Sequence, residues 1–264
     1  MYNRAIGFKA LMLLSLVMLL SGCVSKPLNP QPKSGVTEEI TDKNLPDITA
    51  VLKSSGLDNV DIFENWVKDS HEISEYDSNA GFSDADCRMT AMLLAGDSIS
   101  YTGVEEEYNG DYLMFDIDAI ENDERYSALK EKEHLFTTLF GETPIPNGSL
   151  SNAFTAIWNK HGICVNSKKF SIISIVFSTY KNDKAFVGHT GILIDLKASG
   201  CGDGYMFVEK IAFGEPFVFT MLAEPNALVD LFSSRPDYSV SDDEAIPLVF
   251  NNSELIGQLK KASD

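Results

Sequence analysis

Three residues of this chain carry side chains that together could break an amide bond: Cys87, His189 and Glu209. A thiolate attacks a carbonyl carbon, an imidazole relays the proton to the leaving group, and a carboxylate holds the imidazole in its working tautomer. Cys87 sits in Asp86-Cys87-Arg88-Met89-Thr90-Ala91, at the expected start of a helix. The first helical turn has unpaired backbone N–H groups and a partial positive charge, which favour a thiolate and an oxyanion beside it. Asp84 and Asp86 are like charges that oppose the thiolate, and Arg88 offsets part of their effect. An N–H of Cys87 and a side chain from the preceding loop, Asn79, would build an oxyanion hole. Arg88 is the other candidate for an oxyanion or substrate contact.

His189 stands in Val187-Gly188-His189-Thr190-Gly191, near the start of an expected strand. Ile192, Ile194 and Leu196 alternate onto one face, so His189 falls on the other with Gly191. Glu209 interrupts an apolar strand, Phe207-Val208-Glu209-Lys210-Ile211, and a carboxylate there needs a partner. Lys210 points to the opposite face and cannot substitute for it. Hairpin register decides whether the two meet. Pairing Ile194 with Gly204 sets His189 beside Glu209, whereas closing Leu196 against Tyr205 sets it opposite Ala212, with Glu209 diagonal and Glu215 a rival orienter.

Helices must come first to present the cysteine. Helical spacing runs from Leu45 to His71, then over about Ala85 to Ala95, Asn122 to Leu139 and Ser149 to Lys160. After Phe170 the chain turns to Ile, Val, Phe and Thr. Strands are expected over Ser171–Tyr180, Val187–Leu196, Tyr205–Phe213 and Phe217–Ala223, then a short helix over Pro225–Ser233 and a last strand over Ile246–Phe250. A helical N-terminal half followed by an antiparallel sheet is an α+β fold. Phe213, Phe217 and Phe219 read as core.

The formal charge of −18 argues against nucleic acid as a partner and against adsorption to anionic lipid. Cys164 and Cys201 are either a disulfide or two free thiols. His71, His134 and His161 lie on charged helices or at helix ends, where surface or capping roles are expected. No close-spaced pair of ligands suggests a metal, and no cofactor is expected.

The N-terminus adds an address. Arg4 and Lys9 precede an almost unbroken apolar run from Ala10 to Leu20, too short to span a membrane, and Leu20-Ser21-Gly22-Cys23 follows. This end resembles the bacterial lipobox, whose cysteine is diacylated and becomes the new N-terminus. The expected organisation is a signal peptide over 1–22, a lipidated Pro-containing tether over 23–43 and one α+β domain over 44–264. The protein would sit on the extracytoplasmic face of the cell membrane, held by lipid on Cys23.

The lipobox, the Asp-Cys-Arg-Met-Thr-Ala helix, the Gly-His-Thr-Gly strand and Phe-Val-Glu-Lys-Ile-Ala-Phe-Gly-Glu-Pro-Phe together resemble the bacterial lipoproteins catalogued as domain of unknown function 4300. More loosely, the order Cys, His, acid is similar to that of papain-like cell-wall amidases and peptidases. That resemblance implies a papain-like arrangement and a cysteine hydrolase of amide or peptide bonds, with cell-wall peptide as first-guess substrate. The other class of function is a non-catalytic surface lipoprotein in which Cys87, His189 and Glu209 form a structural cluster. The lipidation reading predicts that Cys23→Ser releases the protein from the membrane fraction or blocks its processing. A correctly processed variant that stays in the membrane contradicts it.

Overall fold

In the computed structural model, residues 35–70, 84–103, 108–145, 149–179, 181, 183–238, 240 and 245–260 are described. Cys23, Asn79 and the expected signal peptide lie outside them. No helix of the described residues is long and apolar enough to cross a membrane.

The helical half begins with α1 (Leu45–Ser55), stopped by Gly56 in the left-handed region at φ 77°, and α2 (Val60–Ser70). Gly56 and Asn59 (φ 51°) divide the single helical stretch expected from Leu45 to His71. Next come α3 (Cys87–Ala95), α4 (Met114–Asn122), α5 (Ser127–Lys130), α6 (Glu133–Phe140) and α7 (Leu150–Lys160). The expected charged helix over 122–139 is therefore broken. Asp123 accepts from the Arg125 N–H and starts a 3-10 turn there. Two-residue strands β2 (Ile99–Ser100) and β4 (Cys164–Val165) pair with each other, apart from the main sheet.

The main sheet has the order β1-β8-β7-β6-β5-β9-β10. Its members are β1 (Thr37–Glu39), β5 (Phe170–Ser178), β6 (Lys184–Asp195), β7 (Tyr205–Lys210), β8 (Phe217–Leu222), β9 (Leu248–Asn251) and β10 (Glu254–Gln258). β3 (Thr143–Pro144) also pairs with β6. The central strands form the expected antiparallel meander, and the fold class is α+β. Two details differ from the sequence reading. Residues 37–39, assigned to the tether, pair with Thr220, Phe219 and Val218, and Ile40 is fully buried, so the folded unit starts before residue 44. β10 is an additional strand, joined to β9 by a tight turn with Asn252 at φ 52°.

Both faces of the sheet are covered, which is why its strands read as apolar runs rather than as an alternation. Ile172, Ile192, Ile194, Met206 and Val208 face helices α1 to α7. Ile173, Ile175, Leu193 and Phe207 face the other way, against Leu228 and Phe232 of α9 (Ala227–Ser233). The short helix α8 (Leu196–Ser199) joins β6 to β7 and ends on Gly200 at φ 73°.

The sheet splits at one place. β7 pairs with β6 only from Ile192 to Asp195, and β3 takes the same edge only at Lys184 and Ala185. Between them β6 carries Gly188, His189 and Gly191 along an edge that neither strand covers. The β5–β6 register shifts there: Ile175 pairs with His189 but Val176 with Val187, so Gly188 is the extra residue of a bulge. The bulge puts Phe186 and His189 on one face despite their three-residue spacing.

Gly191 is required by packing. A Cβ there would lie 2.6 Å from the Phe207 ring and 2.7 Å from the Val208 carbonyl oxygen, and a backbone oxygen cannot move aside cheaply. We predict that Gly191→Ala lowers stability by about 1–3 kcal/mol, the usual cost of overpacking. An unchanged urea midpoint would contradict this.

Candidate active site

α3 packs against β6 and β7 and aims its first turn at the split. Asp86 is the N-cap: its side chain accepts from the Met89 N–H at 2.8 Å, and its carbonyl from the Thr90 N–H. Cys87 is the first helical residue, so its own N–H and that of Arg88 are the amides that helix geometry leaves for an outside acceptor. Small Thr90 and Ala91, both buried, let the helix approach the strands closely.

The hairpin register matches neither of the two expected pairings. Ile194 lies opposite Met206, and one step beyond the last pair, Ile192 with Val208, come Gly191 and Glu209. Glu209 is therefore the diagonal neighbour of His189 on the same face, with side-chain-free Gly191 between them. The contact is direct: His189 Nε2 and Glu209 Oε2 are 2.5 Å apart. Glu215 is no rival orienter, since its contacts are with Lys210, on the face opposite Glu209: its carbonyl oxygen accepts from Lys210 Nζ and its charge acts on the same ammonium.

With Nε2 taken by Glu209, Nδ1 is the ring nitrogen left for the sulfur. Burial alone would push the His189 pKa down. The charge of Cys87, a hydrogen bond to it and the Glu209 carboxylate outweigh burial and raise it to about 9. Burial likewise opposes ionisation of Glu209, but hydrogen bonds from Arg235 and His189 hold its pKa down to about 2. The centre is a buried imidazolium–carboxylate pair beside a cysteine, with Cys87 5% exposed, His189 2% and Glu209 0%.

Arg235 was not singled out from the sequence, yet it completes the centre. Its Nη1 donates to Glu209 Oε2 at 2.8 Å and its Nη2 to Oε1 at 2.5 Å, a two-pronged grip on the carboxylate. Nη1 also donates to the Tyr238 hydroxyl at 3.2 Å. The rings of Phe232 and Tyr238 lie 6.0 and 5.6 Å from His189. The only sequence signal was a lone Arg after the short helix, in Ser-Ser-Arg-Pro-Asp-Tyr.

The acidic flank of Cys87 is paired off. Asp84 Oδ2 meets Lys210 Nζ at 2.6 Å and accepts from the Gly214 N–H at 3.0 Å. Lys210, 0% exposed and on the face opposite Glu209, thus ties the cysteine's loop to β7. Arg88 donates through Nε and Nη2 to Asp116 at 3.0 Å each. Its Nη2 also lies 2.6 Å from Asp86 Oδ2, at an angle that makes no hydrogen bond. Burial, with Asp86 beside it, raises the Asp116 pKa to about 8 against the pull of Arg88. What Arg88 offers a substrate is therefore its backbone amide, because its guanidinium is spent on these carboxylates.

Cys164 and Cys201 form no disulfide: the first is exposed on β4, and the second, buried after α8, donates its thiol to the Ser199 carbonyl at 3.6 Å. His161 caps α7 as expected, but it is buried and stacked on Tyr101 at 5.8 Å. Among the described residues no group of three or more His, Cys, Asp or Glu could hold a metal.

An α+β protein with a helix-start cysteine facing a strand histidine, itself held by a buried acid, has the parts of a cysteine nucleophile site. The family model described as Domain of unknown function (DUF4300) matches residues 46–256, and the chain belongs to that family. No curated protein matches the chain. No solved structure matches it either.

The two pKa shifts set a pH window. The contribution of the His189 imidazolium is full below its ordinary value of 6.5 and is lost as pH rises through about 9. That of ionised Glu209 is present above its ordinary 4.5 and is lost as pH falls through about 2. We predict that the stability difference between the parent and Glu209→Gln is largest between 4.5 and 6.5 and shrinks as pH rises toward 9. Urea denaturation of both proteins across that range checks it, and a difference that does not change with pH would contradict the ion pair.

Proposed function

We propose that the protein is a membrane-anchored extracytoplasmic lipoprotein that hydrolyses amide or peptide bonds by a papain-like cysteine mechanism, with cell-wall peptide as its first-guess substrate. The observation that carries the reading is His189, bound by Glu209 through Nε2 and interacting with Cys87. The sulfur attacks the substrate carbonyl carbon, and the resulting oxyanion accepts from the amides of Cys87 and Arg88. The C–N bond breaks as imidazolium gives its proton to the departing amine, leaving a thioester on Cys87. Neutral His189 then takes a proton from water, the hydroxide attacks the thioester, and the thiolate leaves with imidazolium restored. Glu209 stays ionised throughout and holds the ring. Lipid on Cys23 would supply attachment, because a chain of charge −18 is repelled by anionic headgroups.

A second reading has its own support. Burial of all three side chains favours a non-catalytic surface lipoprotein in which the cluster is structural. Alkylation separates the two. As an activated nucleophile, Cys87 should react with a short iodoacetamide pulse faster than exposed Cys164, as read by mass spectrometry. Slower labelling of Cys87 favours the structural reading. With the full chain in detergent and purified murein peptides, Cys87→Ala should abolish release of new amino groups. Glu209→Gln should lower the rate by about 10²–10⁴-fold, the usual worth of positioned acid–base catalysis. Equal rates for the parent and Cys87→Ala would overturn the hydrolase.

A further inference from the structure

Most large rings on the sheet are fully buried, as Phe207, Phe217 and Phe250 are at 0–1% exposure. Four rings near the split are only half-buried, and they form one row. Tyr112 touches Phe186 with centroids 4.2 Å apart, Phe186 stacks on Phe177 at 5.9 Å, and Phe177 meets Tyr238 edge-on at 5.9 Å. Tyr238 in turn lies 5.6 Å from the His189 ring. The row depends on the bulge. Phe177 pairs directly with Phe186, and the extra residue Gly188 keeps both on the face of His189. A Cβ on Gly188 would lie 2.5 Å from the Phe177 ring, so glycine lets that ring lie against the backbone next to the histidine.

The row returns to the nucleophile at both ends. At one end Tyr238 lies against His189, and at the other the guanidinium of Arg88, the residue next to Cys87, lies 5.2 Å from the centre of the Tyr112 ring. Met114 and Phe115, two and three residues after Tyr112 in the chain, are 52% and 46% exposed. The two guanidiniums over the terminal rings, Arg88 over Tyr112 at 5.2 Å and Arg235 over Tyr238 at 5.6 Å, are already bound to Asp116 and Glu209. A charged group laid on the row would find no unspent partner among them, and an anionic one would also meet the field of a chain of charge −18. An apolar group would cover the part of these half-buried rings that is still exposed.

We propose that Tyr112, Phe186, Phe177 and Tyr238 form a substrate platform that seats a large apolar or aromatic side chain next to the carbonyl attacked by Cys87. The inference rests on the cysteine hydrolase reading but replaces its first-guess cell-wall peptide, whose side chains are small or charged, with another substrate class: peptide amides with a large apolar or aromatic residue beside the scissile bond. Binding can be read without chemistry. Full-length Cys87→Ala protein in detergent is titrated calorimetrically with N-acetyl-phenylalanine methylamide, with N-acetyl-aspartate methylamide and N-acetylglucosamine as comparisons. The phenylalanine probe should saturate and bind at least tenfold tighter than the other two. Adding Phe186→Ala, or separately Tyr112→Ala, should weaken it at least fivefold, each variant being checked for an intact melting transition. If one variant does not fold, the other decides. A phenylalanine probe that does not saturate, binds no tighter than the comparisons, or is indifferent to the folded variants overturns the platform. Cleavage is scored separately on the Cys87 parent with matching amides. Binding without cleavage sinks the hydrolase and leaves the platform, whereas cleavage without apolar preference sinks the platform and leaves the hydrolase.

Discussion

Glu209 carries a charge at a point with no access to water, and much of the surrounding architecture answers that fact. A carboxylate so placed costs several kcal/mol unless its lone pairs are filled by strong donors. His189 fills one side and the fork of Arg235 the other. These donors come from β6 and from the turn after α9, so satisfying one carboxylate ties the middle of the sheet to the segment that covers its far face. Removing Glu209 leaves two buried donors without their shared acceptor, and removing either donor leaves one side of the carboxylate unfilled, the costly outcomes for such a network.

The split between β6 and β7 is the geometric counterpart of that charge. A fully paired hairpin would continue past Ile192 and Val208 and close the edge that His189 uses. Instead β7 continues with β8 alone, and the opened edge faces the start of α3. Three glycines make this possible for different reasons. Gly188 provides the bulge, Gly191 leaves room for the Phe207 ring and the diagonal reach of Glu209, and Gly214 gives its N–H to Asp84.

Electrostatics near the cysteine follow from pairing rather than from net charge. In a chain of −18, Asp84, Asp86 and Asp116 around Cys87 look hostile to a thiolate. Each has a local answer: Lys210 for Asp84, Arg88 and the Met89 amide for Asp86, Arg88 and burial for Asp116. The same two basic residues also fix the loop and first turn that carry the sulfur, joining charge compensation to positioning.

Local sequence sufficed wherever the deciding interaction was local. The place of Cys87 in the first turn of a helix follows from helical spacing that begins near Ala85, the meander from successive runs rich in Ile, Val, Phe and Thr, and the opposite faces of Glu209 and Lys210 from strand alternation. It also indicated that Glu209 needs a partner, because burial of a charge is legible in its apolar neighbours. Register was not legible, since the loop between β6 and β7 closes through the short helix α8 and Gly200, whose geometry is set by packing. Nor was Arg235, 26 residues from Glu209, because a bidentate contact depends on where two separate elements dock. The bulge at Gly188, the inclusion of 37–40 in the sheet and the ring row from Tyr112 to Tyr238 likewise exist only once distant segments share one face. Contacts between residues far apart in the chain are chosen by the whole core, and only the tertiary structure decided them.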